Sequence, residues 1–210
     1  MSGKKQMKQH ALHPIYVIIT VFVFSLPQMT FAQKVPTLPD TNFEVAYLAP
    51  DAPSFDLTIP QLRTQFNQAN PTLPLHEYKV LASKDISAPY IRAASSINPY
   101  IYSSAVLERG SEKIKSLQIT LLPAADDKSA QANRALIEHY IIALIQQFDP
   151  TVSVDKAPEL TEALNKFMAD KNPTHAEEAR LGALRYVLVK SDNNVLTFAV
   201  EPIKLEIETP

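Results

Sequence analysis

The stretch from residue 130 to residue 148 constrains the fold of this 210-residue chain more than any other. Its apolar residues recur at three- and four-residue spacing over about five turns, which predicts a long helix. The apolar stripe spreads around most of the circumference through Ile137, Tyr140, Ile141, Ile142, Ile145 and Phe148. Such a helix needs cover on more than one side. Two β-hairpins, one on either side of it in sequence, are the expected cover.

Alternating apolar and polar residues predict these two hairpins. The first joins residues 100–108 to residues 113–122 through a turn at Arg109, Gly110 and Ser111. Gly110 is expected there because a turn with positive φ favours glycine. The second hairpin joins residues 184–190 to residues 195–200 through the turn at residues 191–194.

Shorter elements are predicted from capping residues and prolines. Thr58 and Gln61 form a capping box for a helix to about residue 68, with Pro60 in its first turn. Residues 88–98 and 158–170 are interpreted as helices, and Thr174 as the cap of a helical turn at residues 175–178. Residues 45–48 and 76–81 are candidate short strands. The sequence therefore predicts an α+β fold: an antiparallel sheet built mainly from two β-hairpins, packed on one face by the long central helix and shorter helices.

The N-terminus has the order of features found in a secretory signal peptide. Three lysines precede an apolar run at residues 15–26, and small residues lead to a cleavage site between Ala32 and Gln33. The twelve-residue run makes about 18 Å of helix, short of the roughly 30 Å hydrocarbon core. We expect residues 1–32 as signal peptide, 33–55 as a Pro-rich extended lead-in and 56–210 as one domain. An uncleaved helix anchored in the inner membrane is the alternative.

Charge and composition exclude several classes of function. Cleavage after Ala32 removes three lysines and no acids, which leaves 17 Lys and Arg against 22 Asp and Glu, a formal charge of −5. Nucleic-acid binding needs a basic footprint, which this chain lacks. The chain has no cysteine, so disulfides, thiolate metal sites and lipidation at cysteine are excluded. Gly110 and Gly182 stand alone, so no phosphate-binding glycine loop exists.

Candidates for catalysis have structural explanations of equal or greater weight. After the predicted cleavage site the histidines are His76, His139 and His175, which are not paired at metal-ligand spacing, so no metal site is predicted. Three strand carboxylates could in principle serve glycoside hydrolysis, although acids at strand ends are usually solvated. These are Glu108, Glu112 and Glu201. Two fragments match penicillin-recognising motifs, S-x-x-K at residues 153–156 and S-D-N at residues 191–193, but the K-T-G element is missing.

Three tyrosines are the candidate binding residues. Tyr90, Tyr100 and Tyr102 cluster around Pro89 and Pro99 near the start of the first hairpin. Exposed tyrosines often anchor peptides or protein partners. The alternative is that they pack over the edge of the sheet with only their hydroxyl groups in water.

Several blocks of sequence resemble one family. They are Phe55-Asp56-Leu57-Thr58-Ile59, Arg92-Ala93-Ala94-Ser95, Leu107-Glu108-Arg109-Gly110, Ala183-Leu184-Arg185-Tyr186-Val187 and Leu196-Thr197-Phe198-Ala199-Val200-Glu201-Pro202-Ile203-Lys204-Leu205. Together they are similar to the YiiQ-like family of uncharacterised enterobacterial exported proteins. The resemblance implies export through a signal peptide and a single domain of unknown function. It assigns no catalytic residue, and the sequence itself contains no cofactor motif, so no cofactor is predicted.

These observations lead to two hypotheses about function. The first is a periplasmic, non-catalytic binding domain of the cell envelope that recognises an envelope protein, a peptide or a small ligand. It would bind no nucleic acid and meet the membrane only through an uncleaved signal segment. The second is a periplasmic hydrolase with a carboxylate and histidine site, for which His139 and Glu138 are the first candidates. A concave pocket with converging acids would favour the hydrolase, and an apolar groove the binding domain.

Overall fold

Seven antiparallel strands form one sheet in the computed structural model, which describes residues 46–49, 51–82, 85, 87–152, 157–170 and 174–204. The strands are β1 (Lys79–Val80), β2 (Tyr90–Ser96), β3 (Ile101–Glu108), β4 (Ile114–Leu121), β5 (His175–Leu181), β6 (Leu184–Lys190) and β7 (Leu196–Pro202). Their order across the sheet is β1-β2-β3-β4-β7-β6-β5. The helices of the described residues are α1 (Ile59–Ala69), α2 (Asp127–Phe148), α3 (Ala157–Ala169) and a 3-10 turn at Ala46–Leu48. The predicted α+β class is confirmed.

The three α-helices begin close to where the sequence predicts. Thr58 N–H donates to Gln61 Oε1 at 2.9 Å, which forms half of the predicted capping box of α1. The long helix α2 starts three residues earlier than predicted, because the Asp126 side chain caps it by accepting from Ser129 N–H at 2.8 Å. Helix α3 agrees with the prediction to within one residue at each end.

Helix α2 lies on one face of the sheet, in contact with β4, β7 and α3. Its buried side chains pack against inward-facing residues of the central strands, among them Leu117, Ile119, Phe198 and Val200. Helix α1 covers another side of α2, where the Phe66 ring stacks on Tyr140 with centroids 6.3 Å apart. Cover from several directions is what its broad apolar stripe requires.

Both predicted hairpins are present, and a third connects β5 to β6. Gly110 has φ +100° in the turn between β3 and β4, as expected. Gly182 has φ +55° in the turn between β5 and β6. The two halves of the sheet meet where β4 pairs with β7, in the register Leu117 to Val200.

The helix predicted at residues 88–98 is wrong, because residues Tyr90–Ser96 form strand β2. This strand pairs with β3 along its whole length, from Tyr90 opposite Glu108 to Ser96 opposite Tyr102. Small residues such as Ala93 can occupy either a helix or a strand, so the long-range ladder decides. Pro89 and Pro99, which suggested the ends of a helix, instead flank the strand.

Two shorter predictions are also wrong. Residues from His175 belong to edge strand β5, which pairs with β6 from His175 opposite Lys190, and not to a helical turn. Residues Ala46–Leu48 form a 3-10 turn in place of a strand. The candidate strand at residues 76–81 is reduced to Lys79–Val80.

Several sequence predictions lie outside the described residues. They are the signal peptide at residues 1–32, most of the lead-in and the S-x-x-K motif at residues 153–156. In the described part of the chain, no helix is both long enough and apolar enough to cross a membrane.

Candidate functional site

A groove of about 750 Å³ lies between α2, α3 and the loop that follows α1. Each helix contributes a stripe of four residues at helical spacing. The lining consists of His139, Ile142, Ala143 and Gln146 of α2, Pro158, Thr161, Glu162 and Asn165 of α3, and Asn70 and Leu73 of the loop. Positions i, i+3, i+4 and i+7 form one face of a helix, so the groove is the gap between two matching faces.

Polar side chains in the groove are largely uncommitted. Within the described residues, no hydrogen bond engages the side chain of His139, Gln146, Thr161, Glu162 or Asn165. Asn70 is the exception, because its Nδ2 donates to Phe66 O at 3.1 Å at the end of α1. The groove therefore combines an apolar lining with donors and acceptors that a ligand could use.

The two hydrolase candidates do not act together in this groove. His139 lines it, whereas Glu138, its neighbour in sequence, is not among the lining residues. Burial raises the pKa of Glu138, and the charges of His139 and Arg134 partly offset that effect. Glu162 is the carboxylate that shares the groove with His139.

The structure does not bring the three candidate tyrosines together. Tyr90 and Tyr102 lie at opposite ends of the β2–β3 pair, where they face Glu108 and Ser96. Tyr100 packs against the main core. The Arg92 guanidinium lies over the Tyr90 ring, 5.6 Å from its centroid.

The three histidines are also apart. His76 Nδ1 lies 2.9 Å from Ser96 O, and His175 Nε2 lies 3.2 Å from Glu177 Oε1. The His175 ring packs on Phe167 with centroids 4.8 Å apart. Among the residues described, no group of three or more histidines and acids has an arrangement that could hold a metal ion.

A buried polar row crosses the face of the sheet opposite the helices. Ser116 of β4, Glu201 of β7 and Arg185 of β6 are all less than 10% exposed. Glu201 pairs directly with Arg185, whose Nε lies 3.9 Å from Glu201 Oε2. The same Nε lies 3.2 Å from Glu178 Oε2 on β5, so one guanidinium serves two carboxylates.

Burial raises the pKa of Glu201 to about 7, and the charge of Glu178 adds to that effect. The positive charge of Arg185 and the hydrogen bond from Ser116 act in the opposite direction but do not restore the usual value. Of the three carboxylates considered from the sequence, Glu201 is buried, Glu108 is half-buried and Glu112 is exposed in a turn. The carboxylate that shares Arg185 with Glu201 is Glu178, which is not one of these three.

The N-terminal segment covers part of this row. We call residues 47–49 and 51–55 the strap. Lys115, only 2% exposed, donates through Nζ to Ala49 O at 3.3 Å and to Ala52 O at 2.9 Å. Gln118 Nε2 donates to the Tyr47 hydroxyl group at 3.3 Å, and burial raises the pKa of Tyr47. The strap is therefore held by strand β4.

Two further contacts hold the strap, one near its middle and one at its C-terminal end. Lys204 Nζ lies 2.7 Å from Asp51 Oδ2, and Phe55 N–H donates to Ile114 O at 2.7 Å. Lys115 falls at an irregularity in the β3–β4 ladder, where Val106 pairs with Ser116 but Leu107 pairs with Ile114. The sequence does not reveal this bulge, so the role of Lys115 was not predictable from alternation alone.

Comparison with known proteins identifies the family. Residues 17–209 match the family described as "Protein of unknown function (DUF1454)". The chain belongs to this family. It is also 41% identical over 169 residues to the Escherichia coli (strain K12) protein named "Uncharacterized protein YiiQ", a match that covers 80% of this chain and 83% of YiiQ. The family resemblance seen in the sequence is thus confirmed. No solved structure matches the chain.

Proposed function

We propose that this DUF1454 protein is exported to the periplasm and acts there as a non-catalytic binding domain. Its binding surface is the groove between α2 and α3, and its ligand is an extended peptide segment of another envelope protein. The observation that carries the proposal is the pair of matching helix stripes, in which uncommitted polar side chains surround an apolar lining. A volume of about 750 Å³ lies within the usual range of ligand pockets.

Binding is favoured over catalysis by the composition of the groove. Its titratable lining residues are His139 and Glu162, and no hydrogen bond joins them within the described structure. A nucleophilic site needs a base that is itself oriented by a third group. The lining supplies no such set, whereas a binding site needs only shape and a few polar contacts.

Peptide is the favoured ligand because of the carboxamide side chains. Asn70, Gln146 and Asn165 each carry a carbonyl acceptor and an NH₂ donor, which match the two polar groups of a peptide backbone. Beside the groove, Asn67 already makes such a pair with the chain itself: its Nδ2 donates to Leu75 O at 3.0 Å and its Oδ1 accepts from Leu75 N–H at 2.7 Å. The lining contains no Phe, Tyr or Trp ring on which a nucleobase would stack.

A site-specific crosslinking experiment tests the groove. A photoreactive residue at Asn165 should capture one defined segment of a partner, whereas the same residue at neighbouring Lys166, outside the lining, should not. The captured segment, made as a synthetic peptide, should bind the wild-type protein in calorimetry. Thr161→Arg, which fills the groove, should abolish that binding, and Ala163→Arg on the exposed side of α3 should preserve it. Binding that survives Thr161→Arg would refute the proposed surface.

Export is tested separately by protein chemistry. The signal-peptide pattern leads us to expect that the periplasmic fraction contains a chain that begins at Gln33. Mass spectrometry of that fraction gives the first residue directly. A chain that keeps Met1 and stays with the inner membrane would instead support the anchored alternative.

The second candidate function is a hydrolase, favoured by one observation: His139 and Glu162 line the same groove. Under this alternative, the peptide in the groove would be a substrate. The captured peptide should then be cleaved by the wild-type protein and not by His139→Ala or Glu162→Gln. An intact peptide after prolonged incubation would leave binding as the function.

A further inference from the structure

A chain of hydrogen bonds connects the strap to the buried carboxyl group of Glu201. The Tyr47 hydroxyl group accepts from Gln118 Nε2 at 3.3 Å, and the same nitrogen lies 3.4 Å from Ser116 Oγ. Ser116 Oγ in turn lies 3.4 Å from Glu201 Oε1. All three contacts are longer than the usual 2.7–3.2 Å. Glu201 is therefore desolvated beside the strap without short hydrogen bonds to compensate for the loss of water.

The charges around Glu201 offset the effect of its burial on the pKa only in part. Arg185 of β6 faces it, but Glu178 of β5 shares that guanidinium. Lys115 of β4 directs its ammonium group to the strap carbonyls. Arg92 and Tyr90 of β2 are close enough to the Tyr47 hydroxyl group to influence its pKa. If Glu178 and Glu201 were both ionised, two negative charges would share the single positive charge of Arg185.

We propose that Glu201 is a pH-responsive latch: in its protonated form it keeps the strap docked on the sheet, and its ionisation releases the strap. The physical reason is that an ionised carboxylate gains hydration when the strap leaves, whereas a neutral carboxyl group gains little. By linkage, a group that ionises more easily in the open state favours that state as the pH rises. The raised pKa of Glu201, about 7, puts the transition near neutral pH.

Hydrogen exchange in the full-length mature protein tests the latch. The readout is protection of the strap amides, including Ala52 N–H, which donates to Ala49 O, and Phe55 N–H, which donates to Ile114 O. Wild type and Glu201→Gln, which resembles the protonated form, are compared at the same pH so that intrinsic exchange rates cancel. For each unit by which release of the strap lowers the pKa of Glu201, ionisation changes the equilibrium constant for docking of the strap up to tenfold. We expect equal protection at pH 5.5, and about tenfold lower protection of the wild type at pH 8.

A matched control separates Glu201 from acids in general. Glu77→Gln makes the same change at an exposed acid outside the strap and the polar row, and should behave like the wild type. Amides of β3 serve as an internal reference, because their exchange reports on opening of the sheet. The proposal would be overturned if the strap amides were equally protected in the wild type and in Glu201→Gln at both pH values.

A second measurement covers the case in which Glu201→Gln does not fold. The ¹³C carboxyl resonance of Glu201 in the wild-type protein should titrate near pH 7, and the ring resonances of Tyr47 should shift over the same pH range. Titration of Glu201 with no change at Tyr47 would overturn the latch. A Glu201 resonance that titrates at the ordinary value for glutamate would overturn it as well.

Discussion

Arg185 lies directly opposite Glu201 across the β6–β7 pair, yet its Nε is closer to Glu178 Oε2, at 3.2 Å, than to Glu201 Oε2, at 3.9 Å. Glu178 keeps more contact with solvent, whereas Glu201 is only 4% exposed. Arg185 therefore lies closer to the more exposed carboxylate, and burial raises the pKa of Glu201 to about 7. The stability of the fold should depend on pH for that reason.

The first prediction concerns that dependence. The pKa of Glu201 rises from 4.5 to about 7 on folding, so the folded state holds a proton that the unfolded state has lost between these values. The contribution of Glu201 to the free energy of unfolding should therefore be highest below about pH 4.5 and should fall as the pH rises to about 7. We expect wild type to lose about 1–3 kcal/mol of unfolding free energy between pH 5 and pH 8 in urea titrations.

Glu201→Gln should remove most of this slope, because glutamine does not titrate. Glu77→Gln, at an exposed position before β1, should retain it. A slope that persists in Glu201→Gln would assign the pH dependence to other groups, such as the histidines.

The second prediction concerns the buried lysine. Lys115→Met keeps the length of the side chain but removes the ammonium donor from Ala52 O and from Ala49 O, although Ala49 O still accepts from Ala52 N–H. The loss should cost about 1–3 kcal/mol. Hydrogen exchange should show the loss of protection first in the strap. Lys113→Met, two residues away, removes an ion pair between exposed side chains of Lys113 and Asp56 and should leave strap protection unchanged. Equal effects of the two substitutions would show that Lys115 does not anchor the strap.

The third prediction concerns the core under the central helix. The Phe198 ring is buried and stacks on Tyr186 with centroids 6.1 Å apart. Phe198→Ala should cost about 3–5 kcal/mol, and Phe198→Asp should unfold the domain by burying an unpaired charge. Thermal unfolding followed by circular dichroism measures both. Leu181→Asp, at a site 49% exposed, should change stability by no more than about 0.5 kcal/mol.

The fourth prediction compares two turn glycines. A Cβ at Gly110 or Gly182 would meet no atom within 4 Å, so only the backbone conformation opposes substitution. Gly110 has φ +100°, a value that side chains disfavour, and Gly110→Ala should cost about 1–3 kcal/mol. Gly182 has φ +55°, a left-handed conformation that asparagine tolerates. Gly182→Asn should therefore cost less in the same denaturant titration, and the reverse order would contradict this account.

The sequence predicts best where structure follows from local periodicity. Helix α2 is predicted by an apolar period that continues over residues 130–148, and the hairpin at Gly110 combines alternation with a turn residue. Strand β2 gives no such signal, because its small residues fit a helix or a strand and only pairing with β3 selects the strand. Strand β5 is mostly exposed, so it lacks the alternation of buried residues that marks a strand.

The candidate sites depend even more on long-range contacts. The stripe of α2 that lines the groove is visible as a helical period, but its partner face on α3 is known only once the two helices are placed. Glu201 continues the outward parity of β7, which is visible in the sequence. Its burial depends on the pairing of β4 with β7 and on the strap, neither of which leaves a local signal.

The pairing of β4 with β7 has a consequence for how the chain folds. The two halves of the sheet join only when residues as far apart in sequence as Leu117 and Val200 have paired. Contacts between such distant residues slow folding. Until the last strand is available, the edge of β4 stays open, and an open edge invites association with other chains. Most of the protein must therefore be synthesised, and remain unaggregated, before its sheet can close.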